Sequence, residues 1–341
     1  MQPTDSSAAP LTPSIVFENL QAHQRTAALK AAIELDLFRA IGQGVGDVPS
    51  LARHAQASER GVRILCDFLV VNGLLQKDGG TYRHTPSSAA FLDPASPSCL
   101  ASVVQFLSLR ELREPSEHLA DIVRKGRTVL PGQGTVEPEN PVWVDFAQSM
   151  APMMAPLAGP LGAVVLQGRT DPMHVLDIAA GHGLFGIEIA KQNPNARVTG
   201  LDWLPVLRVA LDNAAKAGVR ERYDMLPGSA FEVEFGGPYD TVLLTNLLHH
   251  FDPNTCVELL QKVRRSLKPG GSAATLEFVP NDDRVSPPMP AAFAMTMLLT
   301  TADGDAYTFG ELAEMHARAG FKDVAKHPIP MSPHTIVTAH T

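Results

Sequence analysis

Two glycines and two acids carry the strongest chemical signal in this chain. Val175-Leu-Asp-Ile-Ala-Ala reads as a buried strand, and Gly181-His182-Gly183 turns it toward a helix beginning near Leu184. Glycine has no Cβ, so such a loop lets backbone approach a ligand closely. The helix N-terminus behind it would offer free N–H groups and partial positive charge to a carboxylate or phosphate. About 20 residues further on, the next strand ends in Leu201-Asp202, where an acid accepts hydrogen bonds from ribose hydroxyls. Together these describe a site for a nucleoside-bearing ligand. Gly181, Gly183 and Gly186 also satisfy G-x-G-x-x-G, which keeps a nicotinamide or flavin dinucleotide open. Asp177 pulls the other way. It stands inside the first strand, where a dinucleotide site usually has an apolar residue, and a carboxylate there suits the amino end of a zwitterionic or cationic ligand.

From His174 onward, strand and helix patterns alternate, which predicts an α/β domain with a largely parallel sheet covered on both faces. The expected strands are 174–180, 197–203, 223–227, 239–246, 272–279, 321–328 and 335–340. A short Pro-Met-Ser-Pro turn joins the last two, so the final strand should run antiparallel, unlike an all-parallel dinucleotide sheet. Leu247-Leu-His-His-Phe251 follows the fourth strand, at the carboxyl edge where open α/β sheets bind ligands.

Ahead of this domain, residues 14–41 show apolar helical spacing with Ser14 as N-cap, and shorter helices follow over 48–56 and 58–72, the latter capped by Ser58. Asp78-Gly79 between two extended runs signals a hairpin. Three helices and a hairpin are the order of a winged helix. Its would-be recognition helix, with Val62, Ile64, Leu65, Phe68, Leu69, Val70 and Val71, wants burial or a subunit interface, since Arg60 and Arg63 are opposed by Glu59 and Asp67. The expected divisions are a disordered tail over 1–13, the winged-helix-like domain over 14–100, a helical connector over 101–166, and the ligand-binding domain over 167–341.

Composition narrows the class further. The 341 residues are 45% hydrophobic and 19% charged, a globular balance. A net charge of −8 argues against nucleic acid as partner. Cys66, Cys99 and Cys256 have no metal-type spacing and read as apolar thiols in a reducing compartment, so no metal is expected. The first residues lack a signal-peptide pattern, and no stretch approaches the roughly 20 apolar residues of a membrane span. A cytoplasmic protein without membrane partners is expected.

Val175–Gly183 resembles the first motif of class I S-adenosylmethionine-dependent methyltransferases, and Leu267-Lys-Pro-Gly-Gly271 resembles a later one. Leu-Phe-Arg-Ala-Ile, Ser-Leu-Ala-Arg and Asn-Gly-Leu-Leu near the N-terminus, with Gly-Asp-Ala-Tyr-Thr and Ala-Gly-Phe near the C-terminus, extend the likeness over nearly the whole chain. It is to the plant caffeate and hydroxyindole type of small-molecule O-methyltransferase and its bacterial natural-product relatives. The resemblance implies a Rossmann-like domain with a seven-stranded sheet, a dimerising N-terminal domain, a homodimer, and S-adenosylmethionine as methyl donor, leaving S-adenosylhomocysteine as product. It places Gly181 and Gly183 at the methionine part of that cofactor, whose amino end the Asp177 carboxylate would suit, and Asp202 at its ribose. Ser229, Ala230 and Phe231 would face the adenine, with Ser229 replacing an aspartate common in relatives. Trp203 reads as an adenine cover or a core residue, and Asn246 as a further cofactor contact.

The same likeness implies that His249 is a general base for a hydroxyl on a small aromatic acceptor, oriented by Glu277. His250 stands where relatives often carry aspartate. A second acid expected near Gly304-Asp-Ala306 is replaced by Ala306, with Asp303 and Asp305 as candidate substitutes. A phenol of pKa ~10 and an imidazole of ~6.5 differ by about 5 kcal/mol against full proton transfer, so the base needs help from its surroundings. Met150, Met153, Met154, His250, Phe293 and Met297 would line the acceptor pocket, where thioethers suit a flat ring. Transfer to nitrogen, sulfur or carbon by proximity alone, a nicotinamide-dependent dehydrogenase, and a ligand-responsive winged-helix regulator stay open at this point.

Overall fold

The computed structural model describes residues 12–341, so most of the expected N-terminal tail lies outside the described residues. The chain forms two compact units that divide after Ser108. Residues 101–166, read above as a connector, give one helix to the first unit and the rest to the second.

In the first unit the helical stretch 14–41 is broken into three pieces, α1 (Ser14–Leu20), α2 (Ala22–Glu34) and α3 (Leu37–Gly42). Asp36 separates the last two in a left-handed conformation, which short polar side chains tolerate. Ser14 does not cap; that place belongs to Pro13, which offers no side-chain hydrogen bond. Then come α4 (Val48–His54) and α5 (Glu59–Val71), whose Ser58 cap accepts the Gly61 N–H at 3.1 Å as the sequence suggests. Val62, Cys66 and Leu69 recur at helical spacing on the buried face of α5. Arg63 and Lys77 are both paired with Asp67, which neutralises cations that a nucleic-acid reader would present. β1 (Leu75–Asp78) and β2 (Thr81–His84) form the hairpin, but its two-residue turn is Gly79-Gly80, one position later than expected. Both have positive φ, as a turn matching the strand twist requires. The unit ends with α6 (Pro86–Phe91) and α7 (Ala101–Leu107).

The second unit begins with α8 (Arg110–Arg113), α9 (Leu119–Lys125), α10 (Val142–Ser149) and α11 (Ala151–Leu166). The alternating domain follows: β3 (Met173–Ile178), α12 (Leu184–Gln192), β4 (Ala196–Asp202), α13 (Leu204–Lys216), β5 (Tyr223–Pro227), β6 (Tyr239–Thr245) and α14 (Pro253–Ser266). It closes with β7 (Leu267–Phe278), α15 (Pro288–Thr300), α16 (Phe309–Arg318), β8 (Lys322–Pro328) and β9 (His334–His340). The strand order is β5-β4-β3-β6-β7-β9-β8, seven strands with only β9 antiparallel to its neighbours. Val175, Leu176, Ile178, Val242, Leu243 and Leu244 are fully buried, the continuous apolar run of a sheet covered on both faces. β7 starts earlier than expected, because Leu267 already pairs with Tyr239 before an irregularity in the ladder. The Lys-Pro-Gly-Gly segment is therefore part of the strand.

The order reverses between β3 and β6, so a crevice opens at their carboxyl ends. Both the glycine loop and the histidine pair leave the sheet there. Among the described residues no single helix is long and apolar enough to cross a membrane.

Candidate active site

Beyond β3 the backbone turns through left-handed conformations at Ala179, Gly181 and Gly183. Asp202, at the end of β4, accepts the Gly181 N–H at 2.9 Å with one carboxylate oxygen and the Trp203 N–H at 2.7 Å with the other. Each oxygen keeps a further lone pair for a ligand hydroxyl. Burial pushes the Asp202 carboxyl up to about 6. The missing Cβ of Gly181 opens on space bordered only by the Phe146 ring at 3.8 Å and a backbone oxygen, so the loop backbone is bare on that side. Gly183 is constrained by packing instead: a Cβ there would lie 2.8 Å from that of Ala210, at φ +73°. Gly183→Ala is expected to cost about 1–3 kcal/mol in thermal unfolding; an unchanged melting temperature would show that the loop relaxes freely.

Two expectations about this loop fail. In the first turn of α12 two of the expected N–H groups are already engaged, Leu184 N–H by His182 Nδ1 and Gly186 N–H by Asp177 Oδ2. Asp177 itself is fully enclosed behind the loop and offers no surface to a ligand's amino end. A strand residue buried on both sheet faces points into the packing, and here its carboxylate serves the helix start. With one oxygen unpartnered and the whole group buried, its carboxyl is pushed up to about 8, the nearby Asp202 charge adding to the effect.

This has a measurable sign. Between about 4 and about 8 the folded protein holds a proton on Asp177 that the unfolded chain has lost, so stability falls as pH rises across that window. His182 and His334, held down to about 4 by burial, act oppositely, but only below their ordinary value near 6.5. From about pH 6.5 to 8, Asp177→Asn is therefore expected to flatten the decline in ligand-free stability, by up to about 1 kcal/mol per pH unit. Parallel urea titrations of both proteins giving the same slope would contradict this.

The expected adenine segment lies beside Asp202, whose carbonyl accepts the Gly228 N–H at 3.0 Å. Ser229 Oγ accepts the Phe231 N–H, and Lys262 donates to the Ala230 carbonyl at 3.0 Å. Phe231 is 43% exposed and meets Phe251 edge-on, while Trp203 is half-buried at the start of α13.

On the other side of the crevice, His249 and Glu277 are brought together, both buried. Glu277 Oε2 holds His249 Nδ1 in a short hydrogen bond, and its Oε1 accepts the N–H groups of Leu247 and Leu248 at 3.0 and 2.8 Å. His250 stacks at an angle on His249, ring centres 4.3 Å apart, and burial plus that neighbour hold it well below the ordinary imidazole range. Phe293 meets His249 edge-on at 4.9 Å and stacks on Phe278 at 4.0 Å. Met154 is buried, its sulfur 3.7 Å from Asn246 Nδ2, and Met150 and Met297 are buried while Met153 is half-buried. Neither candidate acid reaches His249: the Asp305 carboxylate pairs with Arg284, and Asp303 is exposed. Asp305 touches the histidine only through its backbone N–H, which donates to the His249 carbonyl at 3.0 Å.

Sequence reasoning missed Trp143, Phe146 and His334. Trp143 meets His250 edge-on at 5.2 Å, Phe146 lies over the glycine loop, and His334 Nε2 bonds Asn246 Oδ1 at 3.1 Å. None belongs to a motif, and α10 and β9 meet the crevice only through tertiary packing.

An O-methyltransferase dimerisation domain matches residues 17–94, and a methyltransferase domain matches residues 175–271. Mouse (Mus musculus) acetylserotonin O-methyltransferase is 30% identical over 312 residues, 86% of this chain and 79% of that protein. The 3-hydroxy-5-methyl-1-naphthoate 3-O-methyltransferase of Streptomyces sahachiroi is 27% identical, covering 88% of this chain and 87% of the relative. A solved structure from Nostoc punctiforme, described as an inferred O-methyltransferase, superposes with TM-score 0.94 at 45% identity, covering 97% of this chain and 100% of that one.

Proposed function

This chain belongs to the S-adenosylmethionine-dependent O-methyltransferases that carry an N-terminal dimerisation domain, and from that membership we propose that it methylates a hydroxyl of a small aromatic molecule, with His249 as general base. The observation that carries the base assignment is the Glu277 carboxylate on His249 Nδ1. An acceptor there keeps the proton on Nδ1, so Nε2 carries the lone pair that takes the hydroxyl proton. The charge formed on His249 lies against a carboxylate that two backbone N–H groups fix in place, which supplies the help that imidazole needs against a phenol. His250 is a poorer base, since burial disfavours its charged form and, among the described residues, no carboxylate is bonded to it.

The cradle fits the cofactor. Gly181 leaves its backbone open toward the crevice, Asp202 retains lone pairs for ribose hydroxyls, and Phe231 with Trp203 offers aromatic surface beside it. When bound, S-adenosylmethionine supplies an electrophilic methyl on a sulfonium sulfur. Asp177 supports this site indirectly by fixing the start of α12. Met150, Met153, Met154, Phe293 and Met297 would exclude water from the acceptor side and hold a flat ring. Ile15, Val16, Phe17 and Leu20 are exposed apolar residues on α1, and with the dimerisation domain they support a homodimer.

Calorimetry with S-adenosylhomocysteine, followed by radiolabelled methyl transfer to hydroxynaphthoates and hydroxyindoles, tests the reading. Binding of the product with transfer to hydroxyls is expected. Transfer to amines or thiols but to no hydroxyl would retire it, as would binding of NAD in place of the adenosyl ligand.

A further inference from the structure

Asn246 ends β6 in the left-handed conformation, at φ +53°, in the same short stretch as His249. Its side-chain oxygen accepts a hydrogen bond from Nε2 of His334, at the start of β9. That histidine is buried, packs against Phe278 at 4.0 Å, and is held neutral by its surroundings, so its tautomer is set by the bond to Asn246. The amide nitrogen of Asn246 therefore points its two hydrogens elsewhere, and its protein partner is the thioether of Met154 at 3.7 Å. Sulfur is a weak acceptor, so a partly buried donor is anchored from behind and left under-satisfied beside the buried Met154 thioether. A few such donors in an apolar pocket are what fixes ligand orientation.

We propose that the Asn246–His334 pair recognises a second oxygen on the acceptor, on the same small ring system as the hydroxyl that is methylated. The ligand class is thus a hydroxyarene bearing a neighbouring hydroxyl, carbonyl or carboxylate oxygen, toward which Asn246 donates its amide while His334 fixes the amide's orientation. The inference rests on the O-methylation reading above and moves Asn246 from the cofactor side to the acceptor side.

The test compares matched acceptors, catechol with phenol and hydroxynaphthoate with naphthol, in wild type, Asn246→Asp and Asn246→Gly. Both replacements accept the left-handed backbone; the first keeps shape but removes the donor. Wild type is expected to prefer the two-oxygen member of each pair by about ten- to a hundredfold in kcat/KM, and both variants to lose that preference mainly through KM. His334→Phe should weaken the preference in the same direction, and calorimetric affinity for S-adenosylhomocysteine should stay unchanged throughout. Equal losses on both members of a pair, no preference in wild type, or a parallel fall in S-adenosylhomocysteine affinity would each overturn the assignment while leaving O-methylation intact. A wild-type enzyme that binds S-adenosylhomocysteine and methylates no hydroxyl would instead remove the reading beneath it.

Discussion

Replacing His249 with alanine is expected to lower kcat by about 10²–10⁴-fold while S-adenosylhomocysteine binds within about twofold of wild type. The two effects separate because the proposed base and the proposed cofactor cradle sit on different strand ends. His249 follows β6, whereas the glycine loop and Asp202 belong to β3 and β4. The ring is buried among His250, Phe293 and Glu277, so deletion also opens a cavity and stability must be followed in parallel. His249→Gln keeps most of that volume and should be as inactive as the alanine variant. Single-turnover methyl transfer is the cleanest readout, since product release does not enter it. Near-normal turnover in both variants would retire the base and leave catalysis to alignment alone.

The second large effect concerns Glu277, proposed above to position the base, and it divides by substitution. Glu277→Ala strips the acceptor from the Leu247 and Leu248 N–H groups as well as from His249. Each buried N–H left unpaired costs about 1–3 kcal/mol, so this variant should lose several kcal/mol of stability together with activity. Glu277→Gln should fold nearly as well. Two N–H donors require its oxygen, which leaves its NH₂ facing His249 Nδ1. The imidazole must then accept at Nδ1 and carry its proton on Nε2, the wrong tautomer for a base. A stable, cofactor-binding, inactive Glu277→Gln with Nε2-protonated imidazole by ¹⁵N NMR is the expected result. Full activity in that variant would show that Glu277 serves only to hold the loop.

What was legible in the sequence follows from which interactions are local. The strand of Val175–Ile178, its glycine loop and Asp202 could be placed because apolar runs and glycine are local signals. The antiparallel β9 was readable from the short turn before it, since so few residues cannot cross a sheet. The hairpin turn was missed by one position because Asp78-Gly79 and Gly79-Gly80 are both permissive, and only the Asp78–Thr81 pairing decides between them. The split of residues 14–41 escaped because apolar spacing continues across Asp36. At the site, the role of Asp177 could not be read: whether a strand carboxylate faces a cleft or a helix start depends on three-dimensional packing. Trp143 and His334 were silent for the same reason.

The reversal of strand order between β3 and β6 has a consequence for how such an enzyme can change. The residues proposed to hold the donor and take the proton hang from one hydrogen-bonded sheet. The walls proposed for the acceptor come from α10, α11 and α15, which lie outside the sheet. Exchanging those helices between relatives should therefore transplant acceptor choice while the transfer machinery is inherited unchanged.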